Sequence, residues 1–148
     1  MGEIPYRHIS VLIMPTDYCN MNCVYCFNSE RTCGEKIVMT DDVLEHIFHI
    51  TIPFYSDVRF IWHGGEPLSV GRKFYERVIE LQKKENVNGA LIRNSIQTNL
   101  TLLDEEYAKF LIKNGFRIGS SFDGTTNEKT RHNSEKILNG HEILKRCG

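Results

Sequence analysis

The chain has 148 residues, of which 41% are hydrophobic and 25% charged, and its formal charge at pH 7 is −1. These values predict one folded domain and give no electrostatic basis for binding nucleic acid or an anionic membrane. The N-terminus lacks the basic and apolar regions of a signal peptide, no apolar run is long enough to span a bilayer, and five cysteines favour metal ligands or free thiols in a reducing cytoplasm over a disulfide framework.

Strand-like and helix-like segments alternate along the chain. Short strand-like runs predict four strands, at residues 8–14, 58–62, 90–98 and 116–122. We expect the first two strands to be buried, because they are short apolar runs. Residues 15–39 form a long connection that holds four of the five cysteines, and loops of that length in a compact domain are usually functional or disordered.

Four helices follow the strands, and local signals predict where they begin and end. Thr40 is suited to cap the first helix, and Pro53 should stop it. Phe74 lies in the second predicted helix, and Asp104 opens the third. Ser134 can cap the fourth helix, although Asn139-Gly140 lowers the helix propensity of that segment. A strand followed by a helix, four times over, predicts an α/β fold with parallel strands.

Four βα units do not close a barrel, and an open parallel sheet leaves unpaired edges. Either a second chain covers the fourth strand, or the sequence is the front part of a longer protein. We favour the second interpretation.

The most specific feature of the sequence is a cluster of three thiols, Cys19, Cys23 and Cys26, directly after the first predicted strand. Three ligands leave one iron of an iron–sulfur cubane open to an external ligand, whereas four cysteines would close the cluster. A zinc site that uses Cys33 or a nearby histidine as its fourth ligand fits the same loop. On the residues of this loop alone, both interpretations stay open.

Four motifs in order resemble those of the radical S-adenosylmethionine (SAM) superfamily. They are Cys-x3-Cys-x2-Cys with an aromatic residue before the last cysteine, Gly-Gly-Glu-Pro from Gly64, Gln-Thr-Asn from Gln97, and Ser-x-Asp-Gly from Ser121. Together they are similar to the anaerobic sulfatase-maturase branch and to related peptide-modifying enzymes of the SPASM type. The resemblance runs from about His8 to the end of the chain.

This resemblance implies both the fold and the chemistry. Residues 1–148 would be the N-terminal part of a radical SAM core domain, a parallel (βα)4 portion of a partial (βα)6 barrel. The remaining βα units, any auxiliary-cluster domain and the catalytic base would lie beyond residue 148. A [4Fe-4S] cluster and SAM would generate a 5′-deoxyadenosyl radical that abstracts hydrogen from a peptide or protein substrate, with electrons from a donor such as flavodoxin or ferredoxin.

The resemblance also implies the site residues. The cluster would be held by Cys19, Cys23 and Cys26, and SAM by Tyr25, Gly64, Gly65, Glu66, Gln97, Asn99, Ser121 and Arg131. Ser121 would contact the ribose and Arg131 the carboxylate. The side chain of Glu66 would contact the SAM ammonium or buttress the loop, and His63 would contact SAM or serve packing.

Two positions depart from the family pattern. Leu100 stands where the family usually has glycine, and Thr125 where it usually has proline. A leucine at position 100 argues against a left-handed backbone there. Cys33 and Cys147 match no cluster position, and we interpret both as free thiols.

Overall fold

A four-stranded parallel sheet in the order β1-β2-β3-β4 organises residues 7–28 and 35–148, which are the residues that the structure, a computed structural model, describes. The strands are β1 (His8–Ile13), β2 (Asp57–Trp62), β3 (Leu91–Thr98) and β4 (Arg117–Ser120). The helices are α1 (Asp41–His49), α2 (Arg72–Glu85), α3 (Glu105–Lys113), α4 (Asn127–Thr130) and α5 (Ser134–Cys147). The predicted parallel α/β fold is therefore confirmed.

Helices α1, α2, α3 and α5 each contribute apolar side chains to the core that packs against the sheet. In β2, every second residue belongs to the core: Val58, Phe60 and Trp62 are fully buried. Phe48 of α1 meets Phe60 edge to face, with ring centroids 5.0 Å apart, and Tyr75 of α2 meets Trp62 in the same way at 5.6 Å. Burying each such side chain stabilises the fold by about 1.5–3 kcal/mol.

β1 is not the buried strand that its apolar sequence predicts. Its only buried residue is Ile13, and Leu12 is 68% exposed. The reason is position: β1 pairs only with β2 among the described residues, and the described helices cover one face of the sheet. Every second residue of β1, including Leu12, therefore lies on the face of the sheet that the described helices leave uncovered.

β4 is shorter than predicted. The sequence predicts a strand over residues 116–122, whereas the structure has Arg117–Ser120. The last pair of the ladder joins Ser120 to Thr98, where β3 itself ends. Ser121 and Phe122 therefore leave the sheet because no strand remains for them to pair with.

Two predicted helix ends are corrected by the structure. Pro53 does not end α1, which stops at His49; the proline instead lies in the first turn of a short 3₁₀ helix, Ile52–Phe54. Ser134 is the first residue of α5 rather than its cap, which is Asn133 in a left-handed conformation. Asp104 does cap α3, since its side chain accepts a hydrogen bond from the Tyr107 N–H.

None of the helices in the described residues combines the length and the apolar character required to cross a lipid bilayer.

Candidate cofactor site

A cavity of about 220 Å³ opens at the carboxyl ends of the four strands. Ligands of parallel α/β folds bind at this edge because loops from successive strands converge there. All eleven residues that the resemblance implies line this cavity: Cys19, Cys23, Tyr25, Cys26, Gly64, Gly65, Glu66, Gln97, Asn99, Ser121 and Arg131. Residues from four separate loops thus share one site.

The cysteine loop after β1 is held at its far end by two backbone hydrogen bonds. The Cys26 N–H donates to the carbonyl of Cys23 at 3.0 Å, which closes a tight turn. The Val24 N–H donates to the carbonyl of Thr130 at 2.9 Å, which ties the loop to the segment after β4. The first bond fixes the turn that carries the second and third cysteines, and the second bond anchors that turn beside the segment after β4.

The glycine loop after β2 packs directly on the backbone that leads into the cysteine loop. A Cβ atom at Gly65 would lie 2.1 Å from the carbonyl oxygen of Tyr18, so only glycine fits without a shift of the backbone. The Gly65 N–H donates to the carbonyl of Thr16 at 3.2 Å, and the Glu66 N–H donates to that of Tyr18 at 2.7 Å. The two loops therefore form one continuous wall.

The side chain of Glu66 buttresses the loop. Its Oε1 accepts hydrogen bonds from the Thr98 hydroxyl at 2.6 Å and from the Leu68 N–H at 2.9 Å. Its Oε2 accepts one from the Asn99 N–H at 2.8 Å. Burial raises the pKa of this carboxyl, while these three donors act to lower it. Glu66 thus joins the β2 loop to the end of β3.

Gln97 and Ser121 face each other across the ends of β3 and β4. The Gln97 Nε2 donates to the Ser121 Oγ at 2.9 Å. This bond occupies the serine as an acceptor and leaves its hydroxyl hydrogen to donate to a ligand.

Tyr25 and Arg131 meet at the rim of the cavity. The Arg131 Nη1 donates to the Tyr25 hydroxyl at 2.7 Å, and that hydroxyl donates to the Asp123 Oδ2 at 2.7 Å. The Thr130 hydroxyl donates to the same carboxylate oxygen, and these two bonds lower the pKa of Asp123. The tyrosine ring is exposed, and it is fixed in place by its hydroxyl and by the Arg131 guanidinium, which lies 5.8 Å from the ring centroid.

Arg131 keeps one donor without a partner. Its Nε atom is buried and has no hydrogen-bond partner within the described residues. A buried guanidinium N–H that faces no protein acceptor is costly unless a ligand supplies one. Because Arg131 lines the cavity, its guanidinium is suited to an anionic group such as a carboxylate.

The three thiols match, in type and number, the ligands of a cubane with one open iron. Cys19, Cys23 and Cys26 all line the cavity as free thiols. Burial raises the pKa of Cys19 and of Cys23, so these thiols must release protons when a metal binds. In the described part of the chain, no three His, Cys, Asp or Glu side chains are grouped to hold one metal ion. Cys33, the fourth ligand of the zinc alternative, lies outside the described residues.

Sequence reasoning did not assign three further residues that line the cavity: Met21, Phe27 and Thr98. Met21 is buried, whereas Phe27 is 79% exposed at the rim. Thr98 could have been assigned to the site from the sequence, because it stands between two motif residues at a strand end. Apart from their position beside the cysteines, Met21 and Phe27 had no sequence feature that would have assigned them to the site. His63, for which the resemblance implies either a SAM contact or a packing role, also lines the cavity.

Comparison with known proteins places these features in a family. Residues 13–148 match the sequence profile of the radical SAM superfamily. The chain is 41% identical over 122 residues to a cysteine-type anaerobic sulfatase-maturating enzyme of Clostridium perfringens, covering 78% of this chain and 33% of that protein. It is 35% identical over 157 aligned positions to a serine-type enzyme of Bacteroides thetaiotaomicron, covering 96% of this chain and 38% of that protein.

A solved structure has the same fold at similar identity. Native anSMEcpe with bound AdoMet and Cp18Cys peptide superimposes with a TM-score of 0.83 at 36% sequence identity, over 93% of this chain and 40% of that chain. The chain thus spans between a third and two fifths of the length of these relatives.

Proposed function

Because the chain belongs to the radical SAM superfamily, we propose that it binds a [4Fe-4S] cluster and SAM as the N-terminal part of an enzyme that modifies a peptide or protein. The observation that carries this proposal is the convergence on one cavity of the three thiols and the eight further residues that the resemblance implies. When bound, the cluster and SAM supply a 5′-deoxyadenosyl radical for hydrogen abstraction.

Cys19, Cys23 and Cys26 hold the cluster in this proposal. They are three and not four, so one iron keeps a position for SAM. The backbone bonds at Val24 and Cys26 fix the last two ligands before the cluster arrives, which reduces the entropy that cluster binding must overcome.

The groups around the cavity match the parts of SAM in charge and polarity. The Arg131 guanidinium, with its unpartnered Nε, binds the carboxylate. Carbonyls of Gly64 and Gly65 accept from the ammonium, and the Ser121 hydroxyl donates to the ribose. The backbone of Tyr25 contacts the adenine. Glu66 and Gln97 have their side chains engaged with neighbours, so Glu66 acts by holding the wall and Gln97 by orienting Ser121. The amide of Asn99 faces the cysteine loop.

The substrate is a cysteine or serine side chain in a peptide or protein. The two relatives described above are cysteine-type and serine-type sulfatase-maturating enzymes, and the solved neighbour holds a peptide together with AdoMet. Phe27, which is exposed and lines the cavity, and the exposed Val24 in the same loop offer apolar surface that suits contact with a polypeptide. A reducing cytoplasm and an electron donor such as a flavodoxin or a ferredoxin complete the proposal.

Anaerobic reconstitution with iron and sulfide tests the proposal. We expect broad absorption in the visible blue that changes when SAM is added. A colourless protein that holds one zinc ion, dependent on Cys33, would instead support a metal-binding module without catalysis.

A further inference from the structure

Three polar side chains beside the cysteine loop form a closed ring of hydrogen bonds. The Asn99 Nδ2 donates to the Asn20 Oδ1 at 2.9 Å, and the Asn20 Nδ2 donates to the Thr101 Oγ1 at 2.7 Å. The Thr101 hydroxyl closes the ring by donating to the Asn99 Oδ1 at 2.7 Å. Each member is donor and acceptor at once, an arrangement in which hydrogen bonds polarise and strengthen one another.

The ring fixes which way the Asn99 amide points. The Asn99 Oδ1 also accepts from the Thr101 N–H at 2.9 Å, and a backbone N–H can only donate. The oxygen of the amide must therefore face Thr101. Its NH₂ group faces the cysteine loop, where it also lies 3.9 Å from the sulfur of Cys19 as a donor.

The turn that carries Asn99 and Thr101 is itself held in place. Leu100 has a left-handed backbone, with φ of 63°, and its side chain is buried in the core. The Leu100 N–H donates to the Thr98 hydroxyl at 3.0 Å, and its carbonyl accepts from the Leu103 N–H at 3.1 Å. A ring built on this anchored turn can orient the loop that it touches.

We propose that Asn20 and Thr101 are positioning residues for Cys19: with Asn99 they fix the first cysteine of the loop and hold an amide N–H toward its sulfur. This inference rests on the proposed function, because it concerns the thiolate in its cluster-bound state. A donor near a cluster sulfur stabilises the more negative, reduced state and so raises the reduction potential.

Thr101→Val tests the ring, because valine keeps the shape of threonine and removes only the hydroxyl. In the anaerobically reconstituted 148-residue chain, we expect the reduction potential of the cluster to become more negative. We also expect iron to pass to a chelator about 2- to 10-fold faster, because the substitution removes both hydrogen bonds of the Thr101 hydroxyl but no ligand of the cluster. Thr101→Ser, which keeps a hydroxyl, should restore both values.

Asn20→Ala should shift both quantities in the same direction. Two matched controls lie nearby: Thr125→Val and Asn22→Ala change exposed residues whose side chains make no hydrogen bond within the described chain. Both controls should leave the potential and the iron release unchanged.

The outcomes separate the two proposals. A wild-type chain that assembles no cluster overturns the proposed function and this inference with it. A wild-type cluster whose potential and iron release are the same in Thr101→Val and Asn20→Ala overturns only the inference. If Thr101→Val does not fold, Asn20→Ala decides alone, because Asn20 is exposed on the loop.

Discussion

The hydroxyl of Tyr25 links the cysteine loop to the segment after β4. It accepts from Arg131 and donates to Asp123, so the guanidinium is oriented by the phenol. The sequence motif requires only an aromatic residue here, and the proposed contact with adenine uses only the backbone of Tyr25. The Tyr25 side chain therefore also orients the Arg131 guanidinium, a role that the motif does not indicate.

Removing this hydroxyl should weaken SAM binding without loss of the cluster. In Tyr25→Phe, we expect the Kd for SAM to rise about 2- to 10-fold, as for one lost hydrogen bond, while the iron content stays at the wild-type level. Anaerobic calorimetric titration measures the first and a colorimetric iron assay the second. Tyr55→Phe, at a tyrosine far from the cavity, is the control. Unchanged SAM affinity in Tyr25→Phe would show that the tyrosine hydroxyl does not contribute to SAM binding.

Replacing one ligand cysteine should abolish the cluster. In Cys23→Ala, we expect loss of bound iron and sulfide and of SAM cleavage, because two thiolates cannot hold a site-differentiated cubane. Cys147→Ala is the control, since Cys147 lies on α5 and does not line the cavity. Retention of a full cluster and of SAM cleavage in Cys23→Ala would refute the ligand assignment.

At the scale of elements, α5 and the turn after β3 depend on each other. Leu100 adopts the left-handed conformation that its side chain disfavours, at a cost of about 1–2 kcal/mol. Burial of the leucine side chain contributes about 1.5–3 kcal/mol in the other direction. α5 approaches this turn at Gly140, where a Cβ atom would lie 2.6 Å from the Leu100 Cβ and 2.8 Å from its carbonyl oxygen.

Gly140→Ala should therefore destabilise the chain even though alanine is the better helix former. We expect the free energy of unfolding to fall by up to about 2 kcal/mol, because an overpacking cost of about 1–3 kcal/mol against backbone exceeds the gain of about 1 kcal/mol in helix propensity. Urea denaturation followed by circular dichroism gives the value. Asn139→Ala, at the exposed neighbouring position, should change it by less than about 0.5 kcal/mol. Equal effects of the two substitutions would contradict the packing described here.

Leu100 and Ser134 show where local sequence rules stop being sufficient. Left-handed backbone positions favour glycine, which argues against this conformation at Leu100. Burial of the leucine side chain in the core nevertheless outweighs the local cost of the left-handed backbone. Ser134 has the side chain of a cap, yet its hydroxyl accepts from the buried amide of Asn127 at 2.9 Å. Leu100 depends on packing against a distant segment, and Ser134 on a side-chain contact with the preceding short helix, and single-sequence patterns contain neither.

At the scale of the whole molecule, the order of strands and the meeting of the motifs were predictable. Parallel pairing places all strand ends at one edge, so motifs that follow strands must converge. The exposure of β1 was not predictable from its composition. Which face of a strand is covered depends on where the helices lie. An apolar run has the same sequence pattern whether helices cover one face of the strand or both.

A pair of adjacent residues tests this division into covered and uncovered faces. Leu12 is 68% exposed and Ile13 only 3% exposed. In the 148-residue chain, Ile13→Ser should lower the free energy of unfolding by about 2–5 kcal/mol, whereas Leu12→Ser should change it by less than about 1 kcal/mol. Comparable losses from both substitutions, measured by urea denaturation, would show that the uncovered face is assigned wrongly.

The central claim is that three thiolates leave one iron of a [4Fe-4S] cluster free to bind SAM. The most direct measurement is electron paramagnetic resonance of the reconstituted, dithionite-reduced chain with and without SAM. Our account predicts the signal of a reduced [4Fe-4S] cluster whose g values shift when SAM is added, and a smaller shift in Arg131→Ala at the same SAM concentration. A cluster signal that is identical with and without saturating SAM, or a chain that takes up zinc and no cluster, would contradict it.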